Sequence, residues 1–279
     1  MKGKAFFEVV GTGNVCSVWL MKFCVLGSGS KGNATYIEMD GVGLLIDAGF
    51  SGKEMARRLD LIGVSMGSVA AIVVTHEHHD HIQGAGILAR RYGTPVYLNE
   101  PTALAGQKRL GTIDRLCLFE TGSPFSIPPF TVHPFSVSHD TADPVGFVVE
   151  ASGKRLGYCT DTGMVSRLVL HRLSGCHGLI LECNHDPKML EDGPYPLHLQ
   201  QRVRSREGHL ANLDAAKFLT ALLHGGMQHV VLAHLSETNN TPELALEAVT
   251  TLLATVDIDH DLPAISLGIQ DRPGNVVEL

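Results

Sequence analysis

The sequence predicts an α/β fold in which two facing sheets are covered by outer helices. Three observations support this prediction. Short apolar strands occur in both halves of the chain, amphipathic helical patterns separate many of them, and residues that commonly bind metals follow several strands. Because α/β architectures gather their sites at the C-terminal ends of strands, we expect these residues to form one site.

Turn and capping signals divide the first half of the chain into elements. Asp40–Gly41 is a hairpin signal, and Ser51 with Glu54 forms a capping-box pattern that opens a helix. The predicted elements are strands Lys22–Leu26, Thr35–Met39 and Val42–Ile46, a helix through Met55 and Leu59, a buried strand Ala70–Thr75, a helix from Asp80 to Tyr92, and a helix Glu100–Leu110.

The second half repeats the alternation of strands and helices. Asn212 is a plausible cap for a helix that runs to Leu223, and Thr241–Pro242 opens the last long helix. The predicted strands are Thr131–Ser138, Arg155–Thr160, His177–Cys183 and His229–Ala233. We find no internal repeat or low-complexity linker, so residues 21–279 are expected to form a single domain.

A His-x-His-x-Asp-His motif follows the buried strand Ala70–Thr75. Imidazoles and carboxylates are ligands that zinc and similar divalent metals prefer. The motif places four such groups within six residues, at His76, His78, Asp80 and His81. An open catalytic site usually has three protein ligands, so the motif predicts two adjacent metals.

Three isolated residues can complete the two metal sites, because each follows a predicted strand: His139, Asp161 and His234. The simplest division gives one metal the ligands His76, His78 and His139, and the other metal the ligands Asp80, His81 and His234, with Asp161 bridging. We expect two divalent ions, Zn²⁺ or Mn²⁺. Neutral imidazoles, including that of His78, favour hydrolysis by zinc or manganese over redox chemistry by iron.

These motifs resemble the metallo-β-lactamase fold, an αββα four-layer sandwich, in which Asp47 matches a position that supports the ligands. Within the fold, the chain is similar to the YycJ/WalJ group of metal-dependent DNA exonucleases. The matching stretches are Leu26–Asn33, Glu182–Asp186, Gly208–Asn212 and Ala233–Asn240. The resemblance implies hydrolysis of DNA phosphodiesters by a metal-activated hydroxide, with Asp80 or Asp161 orienting the nucleophile.

Composition leaves two other functions open. A thioesterase or lactonase on the same fold would show an apolar acyl pocket, and a nucleic-acid-binding or regulatory protein with little turnover would not need an open dinuclear site. The net charge of −7 argues against a broadly cationic protein, although it permits a local basic groove. Scattered cysteines without a Cys-x-x-Cys pair favour reduced thiols and a cytoplasmic location, and no apolar segment is long enough to span a bilayer.

Several polar residues are candidates for contacting a nucleic-acid substrate, which the family resemblance implies is DNA. His185 is the candidate for contacting the scissile phosphate or donating a proton to the leaving oxygen. Exposed N–H groups of a glycine-rich loop can hold phosphate, and arginines can bind the backbone by charge. The substrate-binding candidates are Ser28, Ser30, Asn33, His209, Arg202, Arg204, Arg206, Ser236 and Asn239.

The first twenty residues carry no chemistry that we can identify. Met21–Phe23 matches the usual start of the family, so Met1–Leu20 is interpreted as an upstream extension or as the product of a misassigned start. We expect this segment to be poorly ordered or to add an edge strand.

Overall fold

The structure is a computed structural model that describes residues 20–279, so the predicted N-terminal extension lies outside the described residues apart from Leu20. Its strands are β1 (Lys22–Gly27), β2 (Ala34–Met39), β3 (Val42–Ile46), β4 (Val69–Val73), β5 (Val96–Asn99), β6 (Leu116–Phe119), β7 (Phe125–Ile127), β8 (Phe130–Ser136), β9 (Val145–Ala151), β10 (Lys154–Cys159), β11 (Gly178–Glu182), β12 (His229–Ala233), β13 (Ala264–Leu267) and β14 (Val277–Glu278).

The helices alternate with these strands and lie outside the two sheets. They are α1 (Gly52–Leu61), α2 (His79–Ile82), α3 (Ala85–Tyr92), α4 (Glu100–Leu110), α5 (Arg167–Leu173), α6 (Pro187–Asp192), α7 (Leu197–Val203), α8 (Asn212–Leu222) and α9 (Pro242–Leu253). No helix within residues 20–279 has the length and apolar character needed to cross a membrane.

Two seven-stranded mixed sheets form the centre of the fold. The first has the order β14-β1-β2-β3-β4-β5-β6, and the second has the order β13-β12-β11-β10-β9-β8-β7. Strands β3 to β6 run parallel to one another, as do β10 to β13. Their C-terminal ends therefore collect at one edge of each sheet, where the predicted ligands follow them.

Three apolar clusters separate four layers. Phe23, Phe130 and Phe147 belong to the cluster between the two sheets, which draws residues from both. A second cluster packs α5, α8 and α9 onto the outer face of the second sheet, and a third packs α1 and α3 onto the first sheet. This arrangement confirms the expected α/β sandwich.

Local sequence signals predicted most element boundaries correctly. The β2–β3 hairpin turns at Asp40 and Gly41, both with positive φ, as such two-residue turns require. Ser51 Oγ accepts a hydrogen bond from Glu54 N at the start of α1, and Thr241 caps α9.

Two boundary predictions were wrong. The helix expected from Asp80 to Tyr92 is interrupted at Gln83 and Gly84, where the chain packs so close to Phe50 that a Cβ on residue 84 would lie 2.4 Å from the Phe50 carbonyl oxygen. Asn212 is the first residue of α8 and does not cap it; its side chain instead hydrogen-bonds Asn240 within the core. The break at Gly84 keeps α2 short and holds Asp80 and His81 against the sheet edge.

Candidate metal centre

The His-x-His-x-Asp-His motif forms the turn from β4 into α2. His76 and His81 are buried, whereas His78 and Asp80 are partly exposed. The motif is fixed to the first sheet by backbone bonds from Ala48 N to His81 O and from Asn33 N to Asp80 O. The turn therefore presents four potential ligands from one rigid segment.

The remaining predicted ligands come from three separate strand ends of the second sheet. His139 lies beyond β8, Asp161 beyond β10 and His234 directly after β12, and all three are buried. Asp161 and His234 have φ of 56°, in the left-handed region that non-glycine residues rarely adopt. Asp47, directly after β3, has φ of 60°. Such backbone strain is typical of functional sites.

The structure brings all seven predicted ligands together in overlapping groups. His76, His78 and His139 form one group, and Asp80, His81 and His234 form another, with the potential ligand atoms of each group within 4.8 Å of one another. Asp161 joins one group with His76 and His81 and another with His234. The geometry fits the expected division, in which Asp161 lies between two cations; the bridging role stays a prediction.

Hydrogen bonds orient four of the imidazoles through Nδ1. His81 Nδ1 lies 2.8 Å from Asp47 Oδ2, and His234 Nδ1 lies 2.9 Å from Glu182 Oε1. His76 Nδ1 lies 2.9 Å from Thr75 Oγ1, and His139 Nδ1 donates to the carbonyl oxygen of Glu207 at 3.1 Å. Each ring thus directs Nε2 at the centre, as metal-binding histidines commonly do.

Unsatisfied buried atoms at the centre fit bound cations. His76 Nε2, His234 Nε2 and Asp161 Oδ2 are buried and have no hydrogen-bond partner among the described residues. Burial lowers the pKa of His76 well below its ordinary value, which favours the neutral, ligating form. Burial would raise the pKa of Asp161, but the imidazoles of His234 and His81 hold it well below its ordinary value, so the carboxylate stays charged.

Glu182 is a functional candidate that the sequence analysis missed. It ends β11, is fully buried, and its Oε1 accepts hydrogen bonds from His234 Nδ1 at 2.9 Å and His209 Nδ1 at 2.8 Å. Its Oε2 accepts from the backbone N–H groups of Thr162 and Leu210. Burial would raise the pKa of Glu182, but His209 and the other donors lower it to about 2. A carboxylate at the end of an apolar strand, beside the ligand-bearing strands, was the available signal.

His209 and His185 occupy different environments. The His209 side chain is 15% exposed and its ring centroid lies 5.1 Å from those of both His139 and His234. His185 is buried, its Nδ1 has no partner among residues 20–279, and burial lowers its pKa to about 4. His209 is therefore the better placed of the two to act on a substrate at the centre.

The glycine-rich loop has a different use from the one expected. Its N–H groups at Ser28, Gly29, Lys31, Gly32 and Asn33 all donate within the protein, so they are not free to hold phosphate. Ser28 Oγ accepts from His234 N, and Asn33 Nδ2 lies 3.2 Å from Asp80 Oδ2. Ser28 and Asn33 thus support ligands, which corrects the phosphate-binding role assigned to their loop; a role for exposed Ser30 stays a prediction.

Ser236 and Asn239 lie in the loop after His234. Ser236 Oγ accepts hydrogen bonds from the N–H groups of Thr238 and Asn239, so this hydroxyl shapes its own turn. Asn239 Oδ1 is buried without a partner in the described part of the chain. Substrate contact by either residue stays a prediction.

The three arginines lie on a segment that passes beside the centre. Arg202 lies in the last turn of α7 and pairs with Asp140, the neighbour of His139. Arg204 lies 3.8 Å from Glu191, and Arg206 forms no ion pair with any residue from 20 to 279. The same segment supplies the Glu207 carbonyl oxygen that accepts from His139. Arg202 therefore lies beside a predicted ligand, whereas Arg204 faces Glu191, and contact of the three arginines with substrate stays a prediction.

Comparison with known proteins identifies relatives over most of the chain. The β-lactamase superfamily domain matches residues 43–235. Exodeoxyribonuclease YycJ of Bacillus anthracis is 39% identical over 235 residues, which cover 84% of this chain and 89% of the relative. Exodeoxyribonuclease WalJ of Streptococcus pneumoniae serotype 2 is 38% identical over 241 residues, covering 85% and 90%.

A solved structure supports the same fold. The metallo-β-lactamase fold protein YhfI from Bacillus subtilis has a TM-score of 0.71 and 17% identity, with 93% of this chain and 100% of that chain covered. The fold implies divalent metal binding, for which the clustered His and Asp side chains are suited. The chain belongs to the β-lactamase superfamily and, within it, to the family of the YycJ and WalJ exodeoxyribonucleases.

Proposed function

We propose that this chain is a metal-dependent exodeoxyribonuclease that hydrolyses phosphodiesters with two divalent cations. The observation that carries the proposal is the pair of buried ligand groups on either side of Asp161. Paired cations suit phosphodiester hydrolysis, because both the attacking and the leaving oxygen need charge stabilisation. The names of the YycJ and WalJ relatives favour DNA as the substrate.

The donor set suggests which cations bind and where. His76, His78 and His139 would hold one cation, and Asp80, His81 and His234 the other, with Asp161 shared. Neutral imidazoles suit Zn²⁺, and the carboxylates of Asp80 and Asp161 would also suit Mn²⁺. Bound cations of this kind lower the pKa of water to about 7 and withdraw charge from phosphoryl oxygens.

The chain's own residues would position water and move a proton. Asp80 has the more exposed of the two ligand carboxylates, so it is placed to accept a hydrogen bond from the attacking water. His209 is placed to donate a proton to the leaving oxygen, because the contact of its Nδ1 with Glu182 Oε1 fixes the orientation of the ring beside the ligand groups. His185, buried with a pKa of about 4, is neutral at pH 7 and is assigned to orienting the substrate instead of acid catalysis.

The test compares substrates that differ in ends, sugar and size. Purified protein loaded with Mn²⁺ or Zn²⁺ is incubated with end-labelled single- and double-stranded DNA, the same sequence as RNA, circular single-stranded DNA, and bis(p-nitrophenyl) phosphate. We expect stepwise loss of nucleotides from linear DNA, no cleavage of the circle, and abolition by a chelator. Cleavage of the circle, or faster cleavage of RNA, would contradict the assignment.

An acyl-hydrolase function has less support. An apolar cavity of about 380 Å³ lies between α5 and α8, lined by Met164, Val165, Leu170, Leu210 and Phe218 among others. None of the seven predicted ligands lines it, so it is not the acyl pocket that a thioesterase or lactonase would need at the metals.

Free cysteines, four of them buried, suit a reducing compartment, and we propose the cytoplasm as the location of this protein.

A further inference from the structure

Two exposed cation–carboxylate pairs lie beside the two ligand groups. Arg202 pairs with Asp140 next to the first group, and Lys31 pairs with Glu237 next to the second. We propose that Asp140 and Glu237 are counter-charges that DNA phosphates displace, and that they set both the affinity for DNA and its salt dependence. This inference rests on the proposed function, which it extends to the path of the DNA backbone.

The Arg202–Asp140 pair adjoins the first ligand group. Arg202 Nε lies 2.6 Å from Asp140 Oδ2, and its Nη2 lies 3.0 Å from Oδ1. Asp140 Oδ1 is in turn 3.6 Å from His139 Nε2, the nitrogen that faces the centre. The Arg202 side chain is 49% exposed. A phosphate at the centre can therefore take the place of the carboxylate, since the guanidinium fork binds both in the same way.

The Lys31–Glu237 pair adjoins the second ligand group. Lys31 belongs to the loop whose Asn33 contacts Asp80 and His81, and Glu237 follows His234 by three residues. Lys31 Nζ contacts Glu237 Oε2, with side-chain exposures of 71% and 45%. The pair joins a loop of the first sheet to a loop of the second. Together with Arg202 at the first ligand group, Lys31 marks a path for a DNA backbone that crosses both ligand groups.

Displacement of the two carboxylates by phosphate should change how strongly DNA binding depends on salt. An exposed ion pair is worth little in water, so a polyanion can break it at small cost. The freed carboxylate then takes up a cation from solution, which cancels part of the counterion release that DNA binding produces. The wild-type chain should therefore depend on salt less steeply than its phosphate contacts imply, and each carboxylate removed should steepen the dependence.

The test measures binding of the metal-loaded protein across a range of salt. The ligand is a fluorescein-labelled single-stranded oligonucleotide with both ends blocked against exonuclease, followed by anisotropy. We expect Asp140→Asn and Glu237→Gln each to tighten binding about two- to fivefold at low salt, as loss of an exposed ion pair allows. The slope of log affinity against log salt should steepen for each variant, by less than the value of about 0.7 that one phosphate contact contributes on a single strand. A purely structural role would weaken binding and leave the slope unchanged.

Matched pairs at the far ends of the strands provide controls. Glu150 pairs with Arg155 near the start of β10, and Glu278 pairs with Lys22 at the start of β1, roughly 20 Å from the site by strand length. Glu150→Gln and Glu278→Gln should leave affinity and slope unchanged. Asp140 adjoins the predicted ligand His139, so hydrolysis of bis(p-nitrophenyl) phosphate is measured to check that Asp140→Asn leaves the centre intact. If Asp140→Asn slows this hydrolysis, the binding result for Glu237→Gln decides the proposal.

The outcomes separate this inference from the proposed function. Wild-type protein that digests linear DNA while Glu237→Gln keeps the wild-type slope would overturn the displacement mechanism alone. Equal steepening in the control variants would overturn it as well. Wild-type protein that neither binds nor digests linear DNA would overturn the proposed function and this inference together.

Discussion

The two halves of the metal centre are built in opposite ways. The first sheet supplies His76, His78, Asp80 and His81 from one turn, whereas the second sheet supplies His139, Asp161 and His234 from three separate strand ends. A single turn fixes its ligands locally. Ligands on separate strands come into register only when the sheet is assembled, so the second half of the centre depends on the whole fold.

Each half nevertheless relies on one fully buried carboxylate. Asp47 accepts from Thr75 N and Thr75 Oγ1 and holds His81, while Glu182 accepts from two backbone N–H groups and holds His234. The difference is that Glu182 also holds His209. The first half therefore only supports a ligand, whereas the second also connects a ligand to the residue proposed to donate the proton.

The largest loss of metal and of activity is expected on substitution of Asp161, the residue proposed to be shared by the two halves of the centre. Asp161→Ala should reduce the metal content from about two ions per chain to one or none and abolish hydrolysis, because the carboxylate also offsets repulsion between the cations. Metal analysis after mild purification, with assays on linear DNA, measures both. Two retained ions would refute the bridging assignment.

A second variant, Asp161→Asn, separates the effect of losing the carboxylate from the effect of backbone strain at the same position. Asp161 has positive φ, which Asn tolerates better than Ala. Asp161→Asn should therefore lose activity as Asp161→Ala does, but keep the higher melting temperature of the two when both are metal-free. Equal melting temperatures would show that the left-handed backbone costs little here.

The two buried carboxylates should differ in how far metal restores activity. Asp47→Asn and Glu182→Gln should each weaken metal affinity about 10- to 100-fold, as loss of a residue that supports a ligand does. At saturating metal, Asp47→Asn should recover most of kcat, whereas Glu182→Gln should stay about 10²- to 10⁴-fold low because proton donation is also lost. Recovery of both variants to the same kcat would remove the proton-donor role of His209.

The smallest effect on the hydrolytic step is expected from the three arginines of the segment beside the second half of the centre. Neutralising Arg202, Arg204 and Arg206 together should weaken binding to all DNA sequences alike and flatten the salt slope by at most about one per arginine. Hydrolysis of bis(p-nitrophenyl) phosphate, which reaches only the metals, should largely survive. Unchanged DNA affinity in the triple variant would remove the arginines from the DNA-binding surface.

This contrast explains what the sequence could reveal. The contiguous motif predicted four ligands by spacing alone, the strand-end pattern predicted His139, Asp161 and His234 because parallel strands end at a common edge, and the structure brings these seven side chains together. Glu182 was missed because its one sequence signal, a carboxylate at the end of an apolar strand, does not show which residues that carboxylate contacts. Only the pairing of β11 with β12 shows that it reaches His234.

Hydrogen-bond networks were the other feature beyond sequence reasoning. The pattern Gly27–Asn33 indicates a tight loop, but nothing in its composition shows that its N–H groups donate internally to Ile269, Gln270 and Asp80. The same holds for Asn212, which has the residue type of a helix cap but is held by Asn240 in the core. In both cases a distant partner along the chain determines the role.

The left-handed backbone at Asp47, Asp161 and His234 imposes a second filter on substitution. A replacement must satisfy the proposed coordination chemistry at Asp161 and His234, or the hydrogen bonds to Thr75 and His81 at Asp47, and must also accept a conformation that costs most side chains about 1–2 kcal/mol. Histidine, asparagine and aspartate tolerate it best, and of these only histidine and aspartate are good ligands. The residue types compatible with these positions are therefore nearly limited to those already present, even before selection for activity acts.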